Sequence, residues 1–235
     1  MGASTFVLSV LKEGFNLHLH SNGNLSVLLG SEFGKTVISD PAQEAWLESE
    51  IARKVEAGSW AVFPVEEQHR FCIIKAFVIP KARRPNAFRD VWDERPVNKS
   101  LRRIHFKLET LDTVARLLGK GWWFATLDLK DAYHHIGLSS ESSRFCAFKW
   151  KNRIVASLVL NFGLSPAPWR FTKIMRVPVA FWRRGGIFVI IYLDDLMVMA
   201  ASKEKLLEDM EKVKADLERL GLTVNWEKSR WFPHQ

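Results

Sequence analysis

Cysteine is scarce: two among 235 residues, too few for the disulfide framework that staples small secreted domains. Cys72 and Cys146 each lie among apolar and aromatic neighbours (Arg-Phe-Cys-Ile-Ile and Phe-Cys-Ala-Phe), which predicts buried free thiols in a reducing, intracellular compartment. Long apolar runs are lacking as well. The most apolar window, Ile187 to Ala201, is too short to span a bilayer and carries two adjacent aspartates at its centre. Met1 to Val10 lacks the basic start of a secretory leader, and its apolar stretch is broken by Lys12 and Glu13. No repeat occurs. With 47% apolar and 26% charged residues, disorder, collagen and coiled coil are excluded and a globular core is expected.

Acidic residues are outnumbered, 26 against 34 basic ones, for a formal charge of +8. The surplus is local, because residues 53 to 107 hold 13 Lys/Arg and 6 Asp/Glu. A concentrated basic surface suits a polyanion such as nucleic acid.

Residues 1 to 39 alternate short apolar runs with Gly, Asn and Ser, and the Ser21-Asn-Gly-Asn24 cluster predicts a hairpin turn between two strands. Asp40, Pro41 and Gln43 signal a helix start; Leu47, Ile51 and Val55 form its apolar stripe, and Gly58 ends it. Strands are expected at Trp60 to Phe63 and Phe71 to Ile79, followed by a Lys81-Ala-Arg-Arg-Pro-Asn turn. A helix fits Leu111 to Leu118, with Val114 and Leu118 inward. Trp122 to Leu129 reads as a strand that stops at Asp128. Pro166 to Arg184 reads as a helix kinked at Pro178, and Ile187 to Leu193 and Leu196 to Ala200 as strands. A last helix, Lys203 to Leu220, aligns Leu206, Met210, Val213, Leu217 and Leu220. Glu208 and Lys212 support it as a pair four residues apart, and Gly221 caps it. Strands and helices mix without regular alternation, so the fold class is α+β.

Ionised carboxylates cost several kcal/mol to bury unpaired. Asp194 and Asp195, set between two strand-forming runs, must therefore reach water, a cation or a metal, and a tight hairpin would put both at its tip. An Asp-Asp turn used only for its hydrogen bonds is the plain alternative. Asp128 changes the weighting, because it ends a second apolar strand. Side by side, strand-terminal acids repel unless hard divalent cations sit between them. Mg²⁺ accepts one or two carboxylates plus water and substrate phosphates, and a pair of such ions drives in-line displacement at phosphorus.

These segments resemble a known family. Phe124-Ala-Thr-Leu-Asp128-Leu-Lys-Asp-Ala-Tyr133, Leu160-Asn-Phe-Gly163-Leu-Ser-Pro-Ala-Pro168, Tyr192-Leu-Asp-Asp195 and Leu220-Gly-Leu-Thr-Val-Asn-Trp-Glu-Lys228 follow the order of motifs A to D of reverse transcriptases of retrotransposons. The wording is most similar to the DIRS-like branch, with Ty3-like elements next, over about residues 45 to 233. The resemblance implies a right-hand polymerase, with fingers at 41–103 and 136–166 and an antiparallel palm sheet packed on helices at 104–135 and 167–235. Residues 1–40 remain unassigned. It implies RNA-directed DNA synthesis from dNTPs on an RNA or DNA template with a DNA primer. Asp128, Asp194 and Asp195 would hold two Mg²⁺ ions, with Mn²⁺ an alternative.

By the same resemblance Lys81 and Arg89 touch the triphosphate, Tyr133 excludes a ribose 2′-hydroxyl, Phe162 and Gly163 face the base pair, and Lys228 protonates pyrophosphate. Position 161 departs from the pattern, with Asn where Pro is common. The likeness stops just past motif D, so thumb and ribonuclease H segments are expected outside these residues, and the site is expected more firmly than processive synthesis. A catalytically inactive nucleic-acid-binding fragment is the competing reading, and an RNA-directed RNA polymerase a weaker one. Gly30-Ser-Glu-Phe-Gly34-Lys35-Thr36 mimics a phosphate-binding loop, but its spacing is one residue short and no helix is expected behind it. His18/His20 and His134/His135 lack the partners a metal site needs.

Overall fold

The computed structural model describes residues 4–18, 25–82, 84 and 87–234. Its elements run α1 (Thr5–Glu13), α2 (Pro41–Glu56), β1 (Trp60–Pro64), β2 (Ala76–Pro80), β3 (Phe88–Trp92), α3 (Arg95–Asn98), α4 (Leu111–Leu117), β4 (Trp123–Asp128), α5 (Ser140–Ser143), β5 (Ala147–Trp150), β6 (Arg153–Ser157), α6 (Ala167–Arg184), β7 (Phe188–Tyr192), β8 (Asp195–Ala200), α7 (Lys203–Arg219) and β9 (Arg230–His234). The chain forms two compact units. One gathers residues 1–7, 105–135 and 168–235, the other 8–104 and 136–167.

The first unit is built on an antiparallel sheet of order β7-β8-β4-β9. Period-two alternation turns Ala125 and Leu127 of β4 fully inward, against α7. On α7, Leu206, Met210, Val213 and Leu217 recur at helical spacing and are completely buried. Each such side chain contributes roughly 1.5–3 kcal/mol by leaving water. Ser202 caps α7 by accepting from the Lys205 N–H. On α6, Phe171, Met175, Val179 and Trp182 form another buried stripe, and the Trp182 indole N–H donates to Asp216 of α7 at 2.9 Å. Pro178 lies inside α6. Glu109 steadies the outer strand, accepting from the Ile191 N–H at 2.9 Å and from Arg183 at 2.7 Å.

The second unit holds the antiparallel sheet β1-β6-β5 and the hairpin β2-β3. Its core includes Phe71, Ile73, Ala147, Ile154 and Ala156. Asp40 accepts from the Ala42 N–H at 2.8 Å and starts α2 at Pro41. Cys72 and Cys146 are free and fully buried. Burial pushes the Cys72 thiol up to about 12 and Cys146 well above its ordinary value, with the charge of Glu94 adding to both.

The structure corrects several local expectations. Leu25–Leu28, expected to be strand after the Ser21–Asn24 turn, forms a turn of 3-10 helix, and Thr5–Glu13, for which no element was expected, is a helix that buries Val7 and Val10 at a three-residue spacing. The turn expected at residues 21–24 lies outside the described residues. Of the strand expected over Phe71 to Ile79 only the last four residues are strand, as the start of Ala76–Pro80. Val55, Leu118 and Leu220 are exposed by 40%, 37% and 48%, each for a geometric reason. Two steps of four residues carry Val55 about 80° around the helix from Leu47, while Leu118 and Leu220 are C-cap residues beyond the last helical turn. Among the described residues no helix is long and apolar enough to cross a membrane.

Candidate active site

Three carboxylates meet at one end of the four-stranded sheet. β4 and β8 pair so that Asp128 stands directly opposite Asp195. Side chains opposed across an antiparallel pair are close neighbours, and like charges there repel. β7 and β8 are joined by Leu193 and Asp194 alone, with Leu193 held at φ +57°. That left-handed backbone costs a non-glycine residue about 1–2 kcal/mol, and it belongs to the two-residue turn that carries Asp194 at the hairpin tip. The Leu129 N–H donates to the Asp194 carbonyl at 2.8 Å, tying the hairpin tip to the end of β4.

The other edge of β4 is fastened by residues 223–229. Lys130 N–H donates to Thr223 O, and Asn225 N–H donates to Asp128 O, each at 2.8 Å. Ser229 Oγ accepts from the Asp128 N–H at 3.0 Å and donates to Asn225 O at 2.8 Å. Lys228 Nζ lies 3.4 Å from Asp128 Oδ2, with the lysine 63% exposed, a contact worth at most about 1 kcal/mol. Asp195's carboxyl is raised above the ordinary range, first by partial burial and then by the charges of Asp194 and Asp128, with Lys228 opposing. The acids feel one another.

Among the described residues, no group of three or more His, Cys, Asp and Glu side chains is arranged to hold a metal ion. A hard ion such as Mg²⁺ asks for less, namely one or two carboxylates completed by water and substrate phosphates. The acids at this strand end are oxygen donors, the donor type such an ion takes. Tyr133 belongs to the same unit. It is 5% exposed, edge-on to Phe171 with ring centres 5.8 Å apart. Burial, with Asp194 and Tyr192 adding, pushes its phenol up to about 12, so it is neutral at physiological pH.

Lys81, Arg89, Phe162 and Gly163 belong to the other unit. Lys81 follows β2, its N–H bonded to Ala87 O at 2.7 Å. Arg89 pairs with Ile79 in the β2-β3 hairpin, and both basic residues are exposed. Phe162 is half exposed. Gly163 sits at φ +101°, where a side chain would be strained, and an added Cβ would stand 3.4 Å from Glu94 Cγ and 3.5 Å from Trp92 O. Its carbonyl accepts from Asn98 Nδ2 at 2.8 Å. Asn98, Glu94 and Ser229 carried no local signal of their roles, because their partners lie 65 to 101 residues away in sequence.

The family model for reverse transcriptase (RNA-dependent DNA polymerase) matches residues 79–235. The chain belongs to the reverse transcriptase family. Relatives include the retrovirus-related Pol polyprotein from transposon 412 of Drosophila melanogaster, 29% identical over 162 residues, and the transposon Tf2-3 polyprotein of Schizosaccharomyces pombe, 24% identical over 157. Each alignment covers 67% of this chain but only 13% and 12% of those polyproteins. Of the two retrotransposon branches, these relatives are Ty3-like. Among solved structures, the prototype foamy virus protease-reverse transcriptase superposes with a TM-score of 0.72 at 20% identity, covering 92% of this chain and 27% of that one. The foamy viral protease-reverse transcriptase in complex with dsDNA gives 0.72 at 18%, covering 93% and 43%. The fold is thus that of a reverse transcriptase polymerase domain, here of the kind found in retrotransposon Pol polyproteins.

Proposed function

We propose that this reverse transcriptase domain adds deoxynucleotides to a DNA primer on an RNA or DNA template, with Asp128, Asp194 and Asp195 holding two Mg²⁺ ions. The observation that carries this reading is the register of Asp128 opposite Asp195, with Asp194 at the adjoining hairpin tip. A binding role alone gives no physical reason to hold three repelling acids together. When bound, the ions would activate the primer 3′-hydroxyl and offset charge on the leaving pyrophosphate.

The chain's own residues do the positioning. Ser229 and the Asn225 N–H fix the backbone of Asp128, and the strained Leu193 aims the hairpin acids. Lys228, within reach of Asp128, would give a proton to pyrophosphate. Tyr133, neutral and immobilised against Phe171, excludes a ribose 2′-hydroxyl by bulk. Lys81 and Arg89 neutralise the triphosphate, and Phe162 and Gly163 meet the nucleotide pair. In this reading residues 104–135 and 167–235 are the palm and residues 41–103 and 136–166 the fingers, with residues 1–40 unassigned and thumb and ribonuclease H supplied by further sequence of a polyprotein. The un-ionised buried thiols support a reducing, intracellular location.

The test is extension of a labelled DNA primer on an RNA template with Mg²⁺ or Mn²⁺ and dNTPs, beside Asp194→Asn/Asp195→Asn. Extension by the unmodified chain alone is expected. Template-primer binding that survives the substitutions, with no extension by either protein, would replace this reading with a non-catalytic binding module.

A further inference from the structure

The loop at residues 160–165 is gripped by a single helical turn. Glu94 and Asn98 are four residues apart, joined by the Asn98 N–H to Glu94 O bond at 2.8 Å, so their side chains leave the same side of that turn. Asn98 bridges the far half of the loop, donating from Nδ2 to Gly163 O and accepting at Oδ1 from the Ser165 N–H, both at 2.8 Å. Glu94 takes the near half: Asn161 Nδ2 donates to its Oε1 at 3.0 Å. Both members of that contact are buried, Glu94 at 2% and Asn161 at 3% exposure, and Glu94 Cγ also backs Gly163. Glu94 Oε2 has no hydrogen-bond partner among the described residues.

We propose that Glu94 and Asn161 form a buried acid–amide clasp that, together with Asn98, sets the conformation of the 160–165 loop, making them positioning residues for the nucleotide pair met by Phe162 and Gly163. The nucleotide half of this inference rests on the polymerase reading above; the clasp does not. A proline at position 161 has no amide to offer, so the unusual asparagine and the buried acid belong together. An ionised carboxylate could not stay in such a site without a counter-charge. The titratable groups that face Glu94 are Asp93, Cys72 and Cys146, and none of them supplies one. Burial, with the charge of Asp93 adding and Asn161 opposing, pushes Glu94 up to about 8. The clasp therefore exists in its protonated form, and deprotonation would put a bare charge under the loop.

Two readouts on the 235-residue chain test this. First, the backbone amide of Gly163 and the side-chain amide of Asn161 are followed by NMR while pH is raised through 8. They are expected to move together with a midpoint near 8 in the unmodified protein and to stay still in Glu94→Gln. A Gly163 amide that does not titrate, or titrates alike in both proteins, overturns the clasp. Second, the KM for dNTP in primer extension is compared between the two proteins. One pH unit above the midpoint about one-tenth of the molecules keep Glu94 protonated, and with the loop held for the nucleotide only over the neutral acid, the ratio of unmodified to Glu94→Gln KM should rise about tenfold. Asn161→Leu should raise KM at every pH with a smaller effect on kcat. A titrating loop with a constant KM ratio overturns the positioning role. Absence of any extension by the unmodified chain counts against the polymerase reading instead, and the NMR result then decides the clasp alone.

Discussion

Replacing Glu94 with glutamine should change how stability depends on pH, and the size of the effect follows from where the carboxyl sits. Its folded value is about 8 against an ordinary 4.5. Below the ordinary value both folded and unfolded chains carry the proton, and burial of the neutral acid has no electrostatic cost. As pH rises, the unfolded chain ionises first, so the stability held at low pH is lost progressively until the folded carboxyl also releases its proton near 8. At about 1.4 kcal/mol per unit, the loss accumulates to about 5 kcal/mol across that window. That is comparable with the whole stability of many domains. Glutamine keeps the acceptor for Asn161 and cannot ionise; its amide protons add an offset of about 1–3 kcal/mol that does not vary with pH. Urea unfolding of both proteins at steps from about pH 5 to about pH 8 measures the difference, in which other titrating groups cancel. Glu94→Gln should gain on the unmodified protein by more than about 1 kcal/mol for each unit near neutrality. A difference that stays constant across the window would refute the placement of a protonated acid at this site.

Ser229→Ala removes the acceptor for the Asp128 N–H, and should cost about 1–2 kcal/mol and slow single-nucleotide addition; unchanged extension would show that Asp128 needs no such anchor. Gly14→Ala sets a Cβ 2.6 Å from the Leu138 carbonyl at φ +79°, and a loss above about 2 kcal/mol is expected, read as a lowered urea midpoint. Met210→Ala, emptying a fully buried position on α7, should cost about 2–5 kcal/mol by the same assay. Tyr133→Val should admit ribonucleotides in competition assays. Because the phenol stays neutral to about 12, the discrimination lost should be the same at every assay pH below that range.

Much was legible in the residues because it depends on local physics. Helix α7 announced itself through a stripe of five apolar residues, four of them buried, the Glu208 and Lys212 pair observed at 2.6 Å, and Gly221 at φ +75° past its end. The start of α2 was equally plain from Asp40 and Pro41. The acids at 128, 194 and 195 stood out because apolar strands do not carry ionised carboxylates inside a sheet. Where local signals were weak or shared, reading failed. The short apolar run at Leu25–Leu28 fits a strand as well as a helical turn, and it forms a turn of 3-10 helix.

By itself, then, the sequence determined which segments coil or extend, where carboxylates must surface, and the order of motifs that identifies the family. Only the tertiary structure decided that Asp128 faces Asp195, that Ser229 holds Asp128 from 101 residues away, and that Glu94 and Asn161, 67 residues apart, share a buried hydrogen bond. Turns and helix caps are settled by neighbours in the chain; strand register and burial of a polar pair are settled by what packing brings together from distant segments.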